Sequence, residues 1–206
     1  MCIRDRFQEV QYRPAFARTL AVVTVVVCAF GVVALFWGDA ASAIRYVWPI
    51  ILIAVVAWAL FWRPSLRMQE HGVTVENVFR TYFIPWPSIQ GIETRYSLTI
   101  ETSRGKVPVW ATPAPGRHRA FGLARKDFDG IGETARGPHG SLRPSDALST
   151  PSGNLAQAIR GHWERLRDSG AFAAGEDPEA FIVTWHYATV TAIAALAAAT
   201  VIGLLV

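Results

Sequence analysis

Residues 71–93 run HGVTVENVFRTYFIPWPSIQGIE. His71-Gly72 is a turn signal. Val73–Arg80 then alternates, with Val73, Val75 and Asn77 or Phe79 on one face and Thr74, Glu76 and Val78 on the other. Thr81–Ile84 continues as a strand until Pro85-Trp86-Pro87. Neither proline can donate to a ladder, so the strand breaks there. Ile89–Tyr96 resumes it, with Ile92 inward. Working outward, Ser65–Glu70 is a strand before the turn. Leu98–Thr102 and Val107–Ala111 are strands joined by the turn Ser103-Arg104-Gly105-Lys106. Short strands with tight turns at this spacing predict an antiparallel meander. Ser152–Arg167 carries Leu155, Ile159, His162 or Trp163, and Leu166 at helical spacing. Ser152 is its expected cap, Gly170 its end, and the open side of the sheet its docking face.

This β unit lies between apolar segments. Of the 206 residues 51% are hydrophobic and only 17% charged, below the usual quarter, and the apolar residues are blocked together. Thr19–Trp37, Tyr46–Trp62 and His186–Val206 each lack Asp, Glu, Lys and Arg, and each approaches the ~20 residues that a helix needs to cross a bilayer. The valine-rich run Val22–Val27 favours a strand in water. In lipid the backbone must satisfy itself internally, so helix is expected. Pro49 falls near the expected start of the second span, where a missing N–H costs least. The short GDAASAIR link makes the first two spans a hairpin. Asp177-Pro178 is a helix start, so one helix is expected to run from Pro178 into the third span. Trp37, Tyr46, Trp48, Trp62, Trp185 and Tyr187 mark the interfaces.

Arg13 and Arg18 precede the first span and Arg63 and Arg67 follow the second, whereas the hairpin loop carries Arg45. The positive-inside rule then puts the N-terminal tail (1–18) and residues 63–180 in the cytosol and the C-terminus outside the cytoplasmic membrane. Met1–Arg6 has the character of a spurious leader. The two cysteines, Cys2 and Cys28, are expected as free thiols. The organisation is therefore a tail, a transmembrane hairpin (19–62), a cytosolic domain (63–170) with a long loop over 112–151, and a linker with a third transmembrane helix (171–206).

Strands followed by one closing helix is the order of a pleckstrin-homology (PH) fold. Gly72–Val75, Arg80, Ile84-Pro85-Trp86 with Ile89, and Val107-Pro108-Val109-Trp110 resemble the bacterial PH-like domain of the low-molecular-weight protein antigen 6 family. The resemblance implies an α+β membrane protein: an N-terminal helical hairpin, a PH-like antiparallel β-barrel or sheet with one closing C-terminal helix, then a third membrane helix. It implies no enzymatic activity and no cofactor.

The residues themselves agree with a non-enzymatic reading. Asp127, Asp129 and Glu133 lack the third ligand and the twelfth-position glutamate of an EF-hand loop. No nucleophile elbow, Walker sequence or dinucleotide fingerprint occurs, and His71, His118, His139, His162 and His186 do not stand at ligand spacing. Phosphoinositide-binding PH domains place basic residues at the first hairpin turn, where this chain has Gln69-Glu70-His71-Gly72. Its basic residues lie elsewhere: Arg104, Lys106, Arg117, Arg119, Arg125 and Lys126. Together with Trp86 and Trp110 these are the candidate lipid or partner contacts, set against a solvated loop and ordinary packing for the two tryptophans. The expected function is a membrane-proximal interaction or assembly module with membrane lipids and a protein as partners and no nucleic acid. Anionic-lipid sensing through residues 117–126 is the alternative, and a small transporter or enzyme subunit the weaker one.

Overall fold

The computed structural model describes residues 9–38, 40–94, 97–113, 147–170, 172 and 181–205. The order is β1 (Val10–Tyr12), α1 (Ala15–Phe36), α2 (Ala40–Ala57) with a π-helical end (Trp58–Trp62), β2 (Ser65–Gln69), β3 (Gly72–Glu76), β4 (Arg80–Pro85), β5 (Ile89–Glu93), β6 (Ser97–Thr102), β7 (Gly105–Pro113), α3 (Pro151–Asp168), β8 (Ile182–Trp185) and α4 (Tyr187–Leu205). The expected α+β class holds. The strands form two antiparallel sheets, β1-β2-β3-β4-β8 and β5-β6-β7, and not one closed barrel.

The chain divides into two compact units. In the first, the core forms by period-2 burial. Leu66 faces Val75 and Met68 faces Val73 across β2–β3, while Ile100 faces Val107 across β6–β7. These residues, with Leu98, Val109 and Ala111, pack against Leu155, Ala156 and Ile159 of α3. The α3 stripe is as the sequence predicts, but its cap is Thr150, whose Oγ1 accepts from the Gly153 N–H at 3.1 Å, with Pro151 in the first turn. Ser152 is buried just behind it. Gly170 follows the helix in the left-handed region (φ 73°).

Pro85-Trp86-Pro87 is more than a strand break: it is where the chain leaves one sheet for the other. β4 ends at Pro85, a 3₁₀ turn covers Trp86–Ser88, and β5 opens the second sheet at Ile89. Trp86 fills the corner at 2% exposure, between buried Ile84 and Ile89. Its indole N–H is shared between the Gln69 and Glu70 carbonyls, each at 3.1 Å, which ties the corner to the β2–β3 hairpin. Gly72 permits this approach: a Cβ there would stand 2.4 Å from the Ile84 carbonyl oxygen.

The alternation expected through Arg80 ends at Glu76. Beyond it Val78 is buried and Phe79 is exposed, because Asn77–Phe79 form a tight turn whose Asn77 N–H donates to the Arg80 carbonyl at 2.9 Å.

The second unit contains Arg13–Pro64, Asn77–Thr81 and Thr184–Val206. Ala15–Phe36, Ala43–Trp62 and Tyr187–Leu205 are long and apolar enough to cross a membrane. The first two begin before the charge-free windows and include Arg18 and Arg45. α2 begins well before Tyr46, so Pro49 is interior rather than near its start. Pro49 cannot donate to the Arg45 carbonyl one turn back. That carbonyl instead faces Gly203 of α4, where an added Cβ would lie 3.4 Å from it, and Arg45 Nε donates to the Gly203 carbonyl at 3.4 Å.

A continuous helix from Pro178 is not found. Residues 182–185 are strand β8, and the helix begins at Tyr187. Pairing with β4 uses backbone groups that a helix would have satisfied locally, and the β-branched Ile182-Val183-Thr184 suits an extended chain. Asp177 and Pro178 lie outside the described residues.

Three arginines of this unit stack on tryptophans at one end of the helices. Arg18 lies 4.2 Å from the Trp62 ring centroid, Arg63 5.8 Å from Trp58, and Arg80 3.5 Å from Trp185. Arg63 also donates to Thr189 Oγ1. The His186 N–H donates to the Phe79 carbonyl at 2.9 Å, and its ring pairs with Thr81 Oγ1 at 2.9 Å.

Candidate interaction site

In the first unit, β5 is an edge of its sheet, and α3 packs alongside it. The ladder with β6 shifts between Ile89, opposite Thr102, and Gly91, opposite Glu101, so Gln90 is bulged out of register. A bulge re-aims side chains and interrupts pairing. Between this stretch and α3 is a cavity of about 300 Å³ lined by Gln90, Gly91, Ile92, Arg160, Trp163 and Arg167.

Helical spacing brings Arg160, Trp163 and Arg167 to one face of α3. Arg160 is buried and donates to the Ile92 carbonyl at 2.6 Å, which pins the helix to the strand. Arg167 lies 5.0 Å from the Trp163 ring centroid and pairs with Asp168 at 3.4 Å. The Trp163 indole N–H is shielded and meets no acceptor among the described residues. The cavity is thus lined by two guanidinium groups, an amide and an aromatic face. It can accept a carboxylate with apolar atoms beside it. It supplies no nucleophile–base pair, and no metal-binding cluster of His, Cys, Asp or Glu occurs among the described residues.

Among the described residues, those singled out from sequence lie apart from one another. Trp86 is core, with its ring 4.6 Å from that of His162. Trp110 is half-exposed on the outer face of β7, where Val109 and Ala111 point inward. Lys106 pairs with Glu93 at 3.2 Å and with Glu101, and those two carboxylates, Glu101 foremost, raise its pKa. An ammonium shared by two carboxylates is a poor headgroup anchor. Arg104 donates to the Phe181 carbonyl at 3.3 Å. Arg117, Arg119, Arg125 and Lys126 lie outside the described residues, as do Asp127, Asp129 and Glu133. The sequence reading placed Trp163 in helix packing and passed over Arg160 and Arg167; the signal available was Arg160, a charge on the apolar face of an amphipathic helix.

His162 has a measurable consequence. Burial, then the nearby Arg165 charge, lowers its pKa below the ordinary 6.5. The folded chain then takes up this proton less readily than the unfolded chain. Stability is unaffected by His162 above pH ~6.5 and falls as pH drops below that value. Thermal melts of the full chain between pH 5 and pH 7.5 should show this slope flattened in His162→Gln (range chosen about the reference value, ~6.5). An equal slope in parent and variant would remove His162 as the cause.

Residues 63–133 match the family model described as a bacterial PH domain. The match does not single out the antigen 6 family, and α3 lies beyond its end. No curated protein matches the chain, and no solved structure does. PH domains are generally non-catalytic modules that commonly bind lipids or proteins. With the two antiparallel sheets, the closing helix and this match together, the chain carries a bacterial PH-like domain.

Proposed function

We propose that this chain is a non-enzymatic interaction module of the cytoplasmic membrane, whose PH-like domain takes an acidic segment of a protein partner in the groove between β5 and α3. The observation that carries this reading is the cavity itself: Arg160, Arg167 and the Trp163 ring beside a bulged edge strand. Edge strands and helix–sheet grooves are recurrent peptide sites, where backbone groups supply affinity and side-chain pockets supply selectivity. The membrane helices confine the domain near the bilayer, which raises the effective concentration of membrane-bound partners. We place residues 63–180 on the cytosolic side and the C-terminus outside. Arg18, Arg63 and Arg80 at one end of the helices, against Arg45 towards the other, support that orientation.

Arg167→Glu tests the groove. The partner is first identified by affinity purification of the full chain from its native membranes. Its recovery with the variant should drop at least about tenfold, since a charge-assisted contact becomes a repulsion. The melting temperature should stay within a few degrees, because Arg167 is half-exposed. Unchanged recovery would reject the groove.

A further inference from the structure

The first turns of α1 and the π-helical end of α2 leave a second groove, of about 360 Å³, lined by Ala15, Arg18, Thr19, Val22 and Trp62. Its walls are methyl groups, methylenes and indole surface. Its one charged group is the Arg18 guanidinium. Arg18 Cζ lies 4.2 Å from the Trp62 ring centroid, and a guanidinium can rest on an aromatic face while its N–H groups hydrogen-bond. Arg18 Nε is shielded from solvent and meets no acceptor among the described residues. A negatively charged oxygen is the strongest partner for a guanidinium that lines an apolar groove.

Three further features define that partner. α1 starts after Pro14, which provides no side-chain cap, and no acidic residue stands in its first turn. Its leading N–H groups and the positive end of its dipole therefore favour an anion. The groove lies at the end of two helices long and apolar enough to span a bilayer, at the level where Trp58, Trp62 and Arg63 cluster. Beyond Val22, Val25 and Val26 continue the same helical face and are exposed. A free phosphate or an acidic peptide would use the guanidinium and waste the apolar walls. A phospholipid uses both.

We propose that this groove binds one anionic phospholipid. A phosphodiester oxygen accepts from the Arg18 guanidinium, and an acyl chain lies along Val22 beside Trp62. The site is separate from the β5–α3 groove and stands or falls independently of it.

Native mass spectrometry of the full chain, released from nanodiscs of equimolar phosphatidylglycerol and phosphatidylcholine, reads this directly. One phosphatidylglycerol per chain should remain bound after most other lipid is removed. Arg18→Gln should lower that retention at least about tenfold, whereas Arg45→Gln, towards the other end of the helices, should leave it unchanged. Val22→Trp fills the groove while keeping the charge, and should lower retention as well. Equal retention of the two lipids by the parent, which requires no variant, would overturn the proposal. So would parental retention in either Arg18→Gln or Val22→Trp.

Discussion

Gly72→Ala is expected to destabilise the PH-like domain by about 3 kcal/mol, the upper range for forcing volume into a packed interior. The reason is geometric. An added Cβ would stand 2.4 Å from the Ile84 carbonyl oxygen and 3.0 Å from Pro85 Cα, both backbone atoms that cannot rotate away. Relief requires β4 to move from the β2–β3 hairpin. That motion loosens Trp86, whose N–H bonds the Gln69 and Glu70 carbonyls of the same hairpin. Gly72 does not stand in the left-handed region, so the penalty is steric rather than conformational. Hydrogen exchange on the full chain should show faster amide exchange across β2–β4, with the protection of α1 and α2 retained. Unchanged exchange in β2–β4 would show that the corner tolerates a side chain.

Trp86→Ala carries a comparable or larger cost, about 3–5 kcal/mol, as for other buried aromatics cut to alanine. It removes the largest side chain at the corner, its tilted ring contact with His162, and the shared hydrogen bond to the hairpin. Trp86→Phe separates these contributions. It keeps an aromatic ring and loses the N–H, and should cost about 1–2 kcal/mol, much of it from the two carbonyls left with one donor fewer. Thermal unfolding of the full chain, followed by near-ultraviolet circular dichroism, ranks the pair. If Trp86→Ala melts with the parent, the corner does not organise the domain.

Strand positions were legible in the sequence because period-2 alternation and turn residues are local signals. Val73–Glu76, Leu98–Thr102 and Val107–Ala111 show them plainly, and the amphipathic stripe of α3 is equally local. The sheet assignment was not legible. Pro85-Trp86-Pro87 reports that a strand ends, but the move to a second sheet depends on non-local packing of Trp86 against Gln69 and Glu70. β1 and β8 were missed for a related reason. Val10–Tyr12 and Ile182–Trp185 are too short to show periodicity, and each is extended because an edge of the first sheet offers it partners. The helical reading of Pro178 onward failed because strand pairing overrode a local cap signal. The groove was not legible: Trp163 read as helix packing, and the acceptor of Arg160, Ile92, is 68 positions away. The bulge at Gln90 leaves no mark in the sequence.

The central claim is that the β5–α3 groove is a protein-binding surface. Site-specific photocrosslinking on the full chain in its native membranes tests it most directly, with the photoreactive residue at Gln90 and, for comparison, at Trp110 on the outer face of β7. A discrete protein adduct from Gln90, absent from Trp110 and abolished by Arg167→Glu, is the predicted result. Lipid adducts alone at Gln90, or the same protein captured equally from both positions, would contradict it.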